Sequence, residues 1–218
     1  VMAVRSRHIL ASSNKVMLWS GLLTAATLNM VSRRTLGAFF ERALFYDPRL
    51  KPPCYNATGF PMQATELNAA NLADVVVATG SIPLVLDGVR DIAGAKPGTY
   101  RDGGVIDYHL DLPQSDGERY TLYPHFFDRI VPGWFDKNLG WRRPDPQHVS
   151  NTILVSPSAE FVATLPNGKI PDRTDFVNFE PRERVRIWRA TIAACQRMAD
   201  EFANLVENDR LAKYVEPL

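Results

Sequence analysis

The sequence predicts an α/β fold, because short apolar runs typical of strands alternate with longer helical patterns along its 218 residues. A hydrophobic content of 45% is ordinary for a globular protein, and this length normally forms one domain. The formal net charge of +1 gives no strong positive field, so nucleic acid is not an expected partner. Cys54 and Cys195 form neither a metal-binding spacing nor a disulfide framework, which favours a reduced, cytoplasmic setting.

The first elements are expected to be a strand and a long helical region. Residues 1–6 indicate a short strand, as though the chain were entered in mid-fold. A helical region is predicted over about residues 15–45, with a break near Ser32. The apolar stripe of its second part is formed by Phe39, Phe40, Leu44 and Phe45.

An uncharged stretch covers residues 16–32, between Lys15 and Arg33-Arg34. It is shorter than the roughly 20 residues that a membrane-spanning helix needs. We expect a buried helix here, with a helix that touches a membrane surface as the alternative. The paired basic residues Arg33-Arg34 and Arg142-Arg143 are expected to be solvated.

The middle of the chain predicts a helix, a hairpin and a strand. Asn68 would cap a helix over residues 69–79, and Gly80 would close it. Residues 84–86 and 89–92 flank Asp87-Gly88, a dipeptide that favours a tight β-hairpin. The loop 94–98 then leads into a strand that ends at Asp102.

The last part predicts two strands and two helices around an irregular segment. The strands are expected over residues 119–123 and 151–156. The aromatic-rich segment 124–146 is expected to be an ordered loop that packs over the core, with a lipid-facing wall as the alternative. Ser158 would cap a brief helix that ends near residue 165, and Pro181 would begin a long one. The core-facing stripe of that helix is expected to comprise Val185, Trp188, Ile192, Cys195, Met198, Phe202 and Leu205.

The sequence Arg101-Asp102-Gly103-Gly104 is the main candidate for a functional site. Two glycines directly after a strand-terminal carboxylate allow a tight turn and a close approach of another backbone. We therefore expect Asp102 to open into a cleft, with a positive φ angle at Gly103 or Gly104. A carboxylate in that position can act as a base on a serine hydroxyl.

The surroundings of this motif resemble the later half of patatin-like phospholipases. In that family a helix ending in Ala-Ser/Thr-x-x-Ile-Pro precedes a strand pair and then Asp-Gly-Gly. The chain carries Ala78-Thr79-Gly80-Ser81-Ile82-Pro83 and then Asp102-Gly103-Gly104, and the specific resemblance covers about residues 68–113. It implies a sheet flanked by helices and a serine hydrolase with a Ser–Asp dyad, in which Asp102 is the catalytic aspartate and no cofactor or metal takes part.

The nucleophile of that family is missing from the sequence. No Gly-x-Ser-x-Gly elbow occurs, since Ser20 lies between Leu18 and Leu22 and Ser81 between Thr79 and Pro83. No glycine-rich loop that could form an oxyanion hole appears before residue 50. The resemblance therefore implies that residues 1–218 are the C-terminal portion of a single hydrolase domain, an incomplete fragment of the full fold.

The expected function is hydrolysis of lipid or other carboxylic esters, with the serine supplied from outside this sequence. We expect a cytoplasmic protein with peripheral membrane contact, which pairs with a second copy or with the missing N-terminal segment. One alternative is a nonenzymatic lipid-binding or interaction module on the same scaffold. Another is a metal-dependent hydrolase that uses Asp102, Asp107, His109 and Asp111, although no histidine lies in a recognised metal-binding spacing.

Overall fold

A computed structural model describes residues 1–113 and 119–217 and has a mixed α/β fold. The strands are β1 (Met2–Ser6), β2 (Phe40–Tyr46), β3 (Met62–Glu66), β4 (Val89–Arg90), β5 (Thr99–Asp102), β6 (Thr121–Pro124) and β7 (Thr152–Val155). The helices are α1 (Lys15–Val31), α2 (Leu36–Phe39), α3 (Leu72–Thr79), α4 (Pro146–Val149), α5 (Ala159–Thr164), α6 (Asp175–Asn178) and α7 (Pro181–Glu207).

The chain divides into two compact units. The first unit comprises Val1–Tyr120 with Ile130–Asn151, and it holds the five-stranded sheet. The second unit comprises Thr121–Arg129 with Thr152–Leu218, and it holds the parallel pair β6–β7 and the long helix α7. The predicted functional motif therefore belongs to the first unit.

The five-stranded sheet has the order β3-β2-β1-β5-β4. Strand β1 runs antiparallel to both of its neighbours, whereas β2 and β3 are parallel. In the register, Ala3 lies opposite Ala43 on one side and Asp102 on the other. The carboxyl ends of β2, β3 and β5 therefore lie at the same end of the sheet as the start of β1.

Each face of the sheet is covered by a helix. On one face Ala3, Phe45 and Tyr100 pack with Val75 and Ala78 of α3. The core of the other face includes α1 and is formed by Val4, Leu10, Leu18, Leu22, Ala25, Leu36, Phe40, Phe60, Val105 and Ile106. Burial of these side chains is the main stabilising contribution of the first unit.

The N-terminal strand and the helical region with its break at Ser32 are confirmed, but the helix predicted over residues 15–45 is wrong from Phe40 onwards. Residues Phe40–Tyr46 form β2, which lies between β1 and β3. A strand covered on both faces shows no polar–apolar alternation, so its sequence pattern does not distinguish it from a buried helix. Glu41 and Arg42 obscure the pattern further, because both are charged and yet buried.

The helix before the motif ends as predicted, but the hairpin after it does not form. Gly80 follows the last residue of α3, and the N-cap position is Asn71, not Asn68. Leu84 has a φ of +69°, and the Ile82 carbonyl accepts hydrogen bonds from the two amides that follow it at residues 85 and 86. This turn excludes a strand over residues 84–86, so Val89–Arg90 pairs with β5 alone.

The C-terminal elements agree with the sequence except in the orientation of α7. The helix begins at Pro181, and Ser158 caps α5 by accepting a hydrogen bond from the amide of Phe161. The buried side of α7 is centred on Ile187 and Thr191. Val185 and Ile192 are exposed, which contradicts their assignment to the core-facing stripe, since both lie about 100° or more around the helix from Ile187 and Thr191.

Candidate functional site

The candidate site is built around Asp102, the last residue of β5. Its backbone amide donates a 3.1 Å hydrogen bond to the Ser81 carbonyl, which ties the strand end to the turn after α3. Its side chain is half-buried, and Oδ1 accepts a 2.7 Å hydrogen bond from the amide of Gly104. These two contacts fix both the backbone and the carboxylate.

The glycines after Asp102 are explained by close approach and not by backbone angle. Neither Gly103 nor Gly104 has a positive φ, so that expectation is wrong. A Cβ on Gly103 would lie 2.6 Å from the carbonyl oxygen of Met2, closer than any side chain tolerates. The double glycine therefore lets a short 3₁₀ turn, Gly103–Val105, pass directly against the start of β1.

The environment of Asp102 makes its carboxylate more basic. Burial raises the pKa of Asp102 above its usual value, and the hydrogen bond from Gly104 and the positive charge of Lys137 offset part of that effect. A carboxylate with a raised pKa is a stronger proton acceptor once it is ionised. The positive charge of Lys137 therefore favours the anionic form of Asp102 and opposes the effect of burial.

Lys137 connects Asp102 with an apolar cleft. Its ammonium group lies 4.1 Å from the centre of the Tyr108 ring, a cation–π contact. Lys137 also lines a cleft of about 360 Å³. The other walls of this cleft are largely apolar and include Trp19, Leu22, Leu23, Leu84, Trp134 and Phe135. The first unit thus places one cation at the wall of a hydrophobic cavity.

A second apolar cavity lies at the same end of the sheet as Asp102. Its volume is about 450 Å³, and its lining includes Met2, Tyr46 and Leu67 from the ends of β1, β2 and β3. Leu110 and Leu112, which follow the Asp-Gly-Gly turn, complete one wall. Asp102 itself lines neither of these two cavities, so they do not supply the cleft into which its side chain was expected to open.

A buried ionic network holds the segment after the motif. Arg42 makes two 2.8 Å hydrogen bonds to the carboxylate of Asp107. Arg33 donates to the Ile106 carbonyl and lies 3.5 Å from the carboxylate of Asp136. Arg142 lies 3.2 Å from the same Asp136. The network therefore anchors the chain four to five residues beyond Asp102.

This network corrects part of the expectation for the basic pairs. Arg33 and Arg142 were expected to be solvated, but both turn inward to Asp136. Arg34 and Arg143, their neighbours in sequence, are exposed as expected. A dipeptide of two arginines does not reveal which one is buried, because the carboxylate that pairs with it is brought near by the fold: Asp136 is 103 residues from Arg33 and 6 residues from Arg142.

The structure does not bring Asp102, Asp107, His109 and Asp111 together as metal ligands. Asp107 pairs with Arg42, whereas Nδ1 of His109 accepts a hydrogen bond from the Val131 amide. Asp111 accepts from the amide of Asp145 and contacts His148. Over residues 1–113 and 119–217, no group of three or more His, Cys, Asp or Glu side chains could hold a metal ion.

The two serines tested against the elbow pattern are both engaged in local hydrogen bonds. Ser81 is buried, and its hydroxyl donates to the Val77 carbonyl at 2.8 Å. Ser20 lies in α1, where its hydroxyl donates to the Met17 carbonyl at 2.9 Å. Neither arrangement is that of a nucleophile, which needs a hydroxyl that donates to a base.

Comparisons with protein-family models, curated proteins and solved structures gave no match to this chain. None of the helices in the described part of the chain combines the length and the hydropathy needed to cross a bilayer. The site therefore has to be interpreted from its own geometry.

Proposed function

We propose that this chain carries the general base of a patatin-like lipid acyl hydrolase, with Asp102 as that base. The main support is one combination of features: a half-buried carboxylate with a raised pKa ends a strand and is followed by a tight double-glycine turn. The helices that cover both faces of the sheet are consistent with a patatin-like architecture. In this proposal the 218 residues form the C-terminal portion of a single hydrolase domain.

The reaction would begin with proton transfer to Asp102. A serine hydroxyl gives its proton to the carboxylate while its oxygen attacks the ester carbonyl carbon. The tetrahedral intermediate then expels the alcohol, which takes the proton from Asp102, and an acyl-enzyme remains. Asp102 next accepts a proton from water, which attacks the acyl group, and the released serine recovers a proton from Asp102.

The serine and the oxyanion donors would come from polypeptide outside this sequence, because the 218 residues contain no Gly-x-Ser-x-Gly elbow. The completing segment, or a second copy of the chain, is the partner that this proposal requires.

The apolar cleft supports a lipid as substrate. A volume of about 360 Å³ falls within the range of small-molecule pockets. Its walls suit an acyl chain, and Lys137 would attract the carbonyl oxygen or an acidic headgroup. Because Lys137 also acts on the pKa of Asp102, the polar end of the substrate would lie towards the base.

Activity-based labelling tests this proposal. The chain alone should neither hydrolyse short-chain esters nor react with a fluorophosphonate, whereas a longer polypeptide that includes the elbow should do both. Asp102→Asn in the longer polypeptide should abolish turnover with the fold unchanged, and Asp74→Asn, at an exposed position on α3, serves as the matched control. Fluorophosphonate-sensitive turnover by the chain alone would overturn the proposal.

A nonenzymatic lipid-binding module is the second candidate, and one observation favours it. The hydroxyl groups of Ser20 and Ser81 both donate hydrogen bonds to backbone carbonyls, and neither serine lines the apolar cleft. The cleft therefore offers space for a lipid without a nucleophile beside it. Binding of a fluorescent fatty acid, without turnover in any longer form of the polypeptide, would support the binding module over the hydrolase.

A further inference from the structure

The outward face of α1 is uncharged and carries large apolar side chains, although the opposite face of this helix is the one that packs on the sheet. Its exposed polar side chains include Ser20, Thr24 and Thr27, whose hydroxyls all donate to carbonyls of the preceding helical turn. Leu18, Leu22 and Ala25 are buried in the core of the first unit. We define the interfacial face as Val16, Trp19, Leu23 and Met30, whose exposed fractions are 78%, 58%, 58% and 58%. A helix at the surface of a globular protein normally has charged or polar residues on its outer side.

The charged residues of the segment that contains α1 have one sign. The first 40 residues contain five Lys and Arg residues and no Asp or Glu. Lys15 begins α1 and Arg34 follows its end, and both are exposed. Exposed basic groups at both ends of an uncharged, apolar face are complementary to an anionic lipid surface.

The cleft described above joins the interfacial face. Trp19 and Leu23 contribute to both, and Trp134, which lies across the cleft from α1, is also exposed. Indole rings favour the boundary between headgroups and acyl chains, because one part of the ring is apolar and the N–H is polar. An acyl chain could therefore enter the cleft from the side on which the interfacial face lies.

The geometry points to α1 as an interfacial helix that lies on an anionic lipid surface, with Val16, Trp19, Leu23 and Met30 against the acyl chains and Lys15 and Arg34 at the headgroups. This inference deepens the proposed function, because it identifies how a lipid ester reaches the cleft. Its biological purpose rests on that proposed function. Binding to the surface itself requires neither Asp102 nor any chemistry.

A second copy of the chain is a less suitable occupant. In a two-fold symmetric contact between antiparallel α1 helices, Lys15 of each copy would lie near Arg34 of the other. The first 40 residues offer no carboxylate to compensate this repulsion. A lipid surface with acidic headgroups has no such conflict, and it can bury the whole face.

Vesicle flotation tests the inference with non-hydrolysable ether lipids. The chain is mixed with vesicles of ether-linked phosphatidylcholine, alone or with an equal part of ether-linked phosphatidylglycerol. Binding should be strong only to the acidic vesicles and should weaken as salt is added. The double variant Trp19→Ser with Leu23→Ser should bind at least about tenfold more weakly, because two apolar side chains no longer enter the lipid.

The matched control is Val177→Ser, which removes an apolar side chain that is 88% exposed in the second unit and should leave binding unchanged. Lys15→Glu with Arg34→Glu should abolish the preference for acidic vesicles, and circular dichroism verifies that each variant is folded. Asp102→Asn should bind the vesicles as the parent chain does, so a failure of the hydrolase proposal is distinguishable from a failure of lipid-surface binding. Unchanged binding by the Trp19/Leu23 variant, or a dimer in light scattering that this variant dissociates, would overturn the inference.

Discussion

Asp102 is subject to opposing influences that together suit a general base. Removal from water disfavours its charged form, while the Gly104 amide and the charge of Lys137 favour it. The result is a raised pKa, and hence a carboxylate that costs the folded state some stability when it is ionised. Function at this position is expected to be obtained at the expense of stability.

The first prediction concerns the stability that the folded state loses when Asp102 is ionised. For an acid whose pKa is raised on folding, the stabilising contribution is present below the unfolded pKa and is lost as the pH rises through the folded pKa. Asp102→Asn keeps an oxygen for the Gly104 amide and cannot ionise. It should therefore unfold at higher urea than the parent chain at neutral pH, with the difference vanishing below about pH 4.

Asp47 provides a control of opposite sign. The hydrogen bonds from Arg49 hold the pKa of Asp47 at about 2, below its usual value. Asp47→Asn should therefore not gain stability at neutral pH, and any loss should disappear as the pH falls towards about 2. Equal pH dependence of the two variants in urea unfolding would contradict the assignment of a raised pKa to Asp102.

The second prediction concerns Gly103. In Gly103→Ala the new methyl group meets the Met2 carbonyl, so β1 and β5 must separate or the turn must shift. We expect a loss of about 1–3 kcal/mol in the free energy of unfolding, the usual cost of overpacking. Gly140→Ala is the matched control, since a Cβ there meets nothing within 4 Å, and it should be neutral or slightly stabilising. Equal urea midpoints would refute this account.

The residues of the site were only partly predictable from the sequence. Asp102 and its glycines form a local motif, so their position at a strand end could be predicted. Lys137 could not be found in the same way, because 34 intervening residues separate it from Asp102 and no local pattern connects them. For Gly103 the expected close approach of another backbone is confirmed and the expected positive φ is wrong, and that the approaching backbone is the start of β1 could not be read from the local motif.

At the scale of elements, α1 and β2 differ in how their sequences encode them. Helix α1 is preceded by Asn14, whose side chain accepts hydrogen bonds from the amides of Val16 and Met17. Strand β2 has no such local signal, and its position between β1 and β3 comes from pairing with strands elsewhere in the chain. The start of α1 is therefore encoded locally, whereas β2, a buried strand without a local signal, could not be distinguished from a helix by its sequence.

The third prediction tests the cap of α1. Asn14→Ala removes the acceptor of two otherwise unsatisfied helix amides, so we expect a loss of about 1 kcal/mol in the free energy of unfolding. Ser13→Ala changes the exposed residue next to it and should have little effect. Chemical denaturation followed by circular dichroism measures both. If Asn14→Ala left the free energy of unfolding unchanged, packing on the sheet alone would fix the residue at which α1 begins.

At the scale of the whole molecule, the two units differ in how their interiors are built. The first unit combines two hydrophobic clusters with the buried network of Arg33, Arg42, Asp107, Asp136 and Arg142. In the described part of the second unit, the buried side chains are Leu165, Asp175, Ile187 and Thr191. The first unit therefore has far more buried apolar area from which to derive stability.

The fourth prediction concerns the buried network. Asp107→Asn leaves the guanidinium of Arg42 buried without its anionic partner, so we expect a loss of about 3–5 kcal/mol in the free energy of unfolding. Replacing both residues by apolar ones, Arg42→Met with Asp107→Leu, should recover part of that loss, because the positive charge of Arg42 is removed together with its anionic partner. If the double variant were less stable than Asp107→Asn, the network would stabilise the fold by more than charge compensation.

The last prediction is that the second unit unfolds before the first. Trp188 is the one tryptophan of the second unit, and its indole N–H donates to Asp175 at 2.9 Å. In a variant with Trp19, Trp134 and Trp141 changed to Phe, fluorescence reports on the second unit alone. The second unit has few buried side chains, so it should unfold at a lower free energy than the first. The fluorescence of Trp188 in the triple variant should therefore change at a lower urea concentration than the fluorescence of Trp188→Phe, whose remaining tryptophans report on the first unit. Ile187→Ala should lower the urea midpoint of the Trp188 transition and leave the midpoint of the first unit unchanged. Equal urea midpoints in the triple variant and in Trp188→Phe would instead show that the two units unfold as a single cooperative unit.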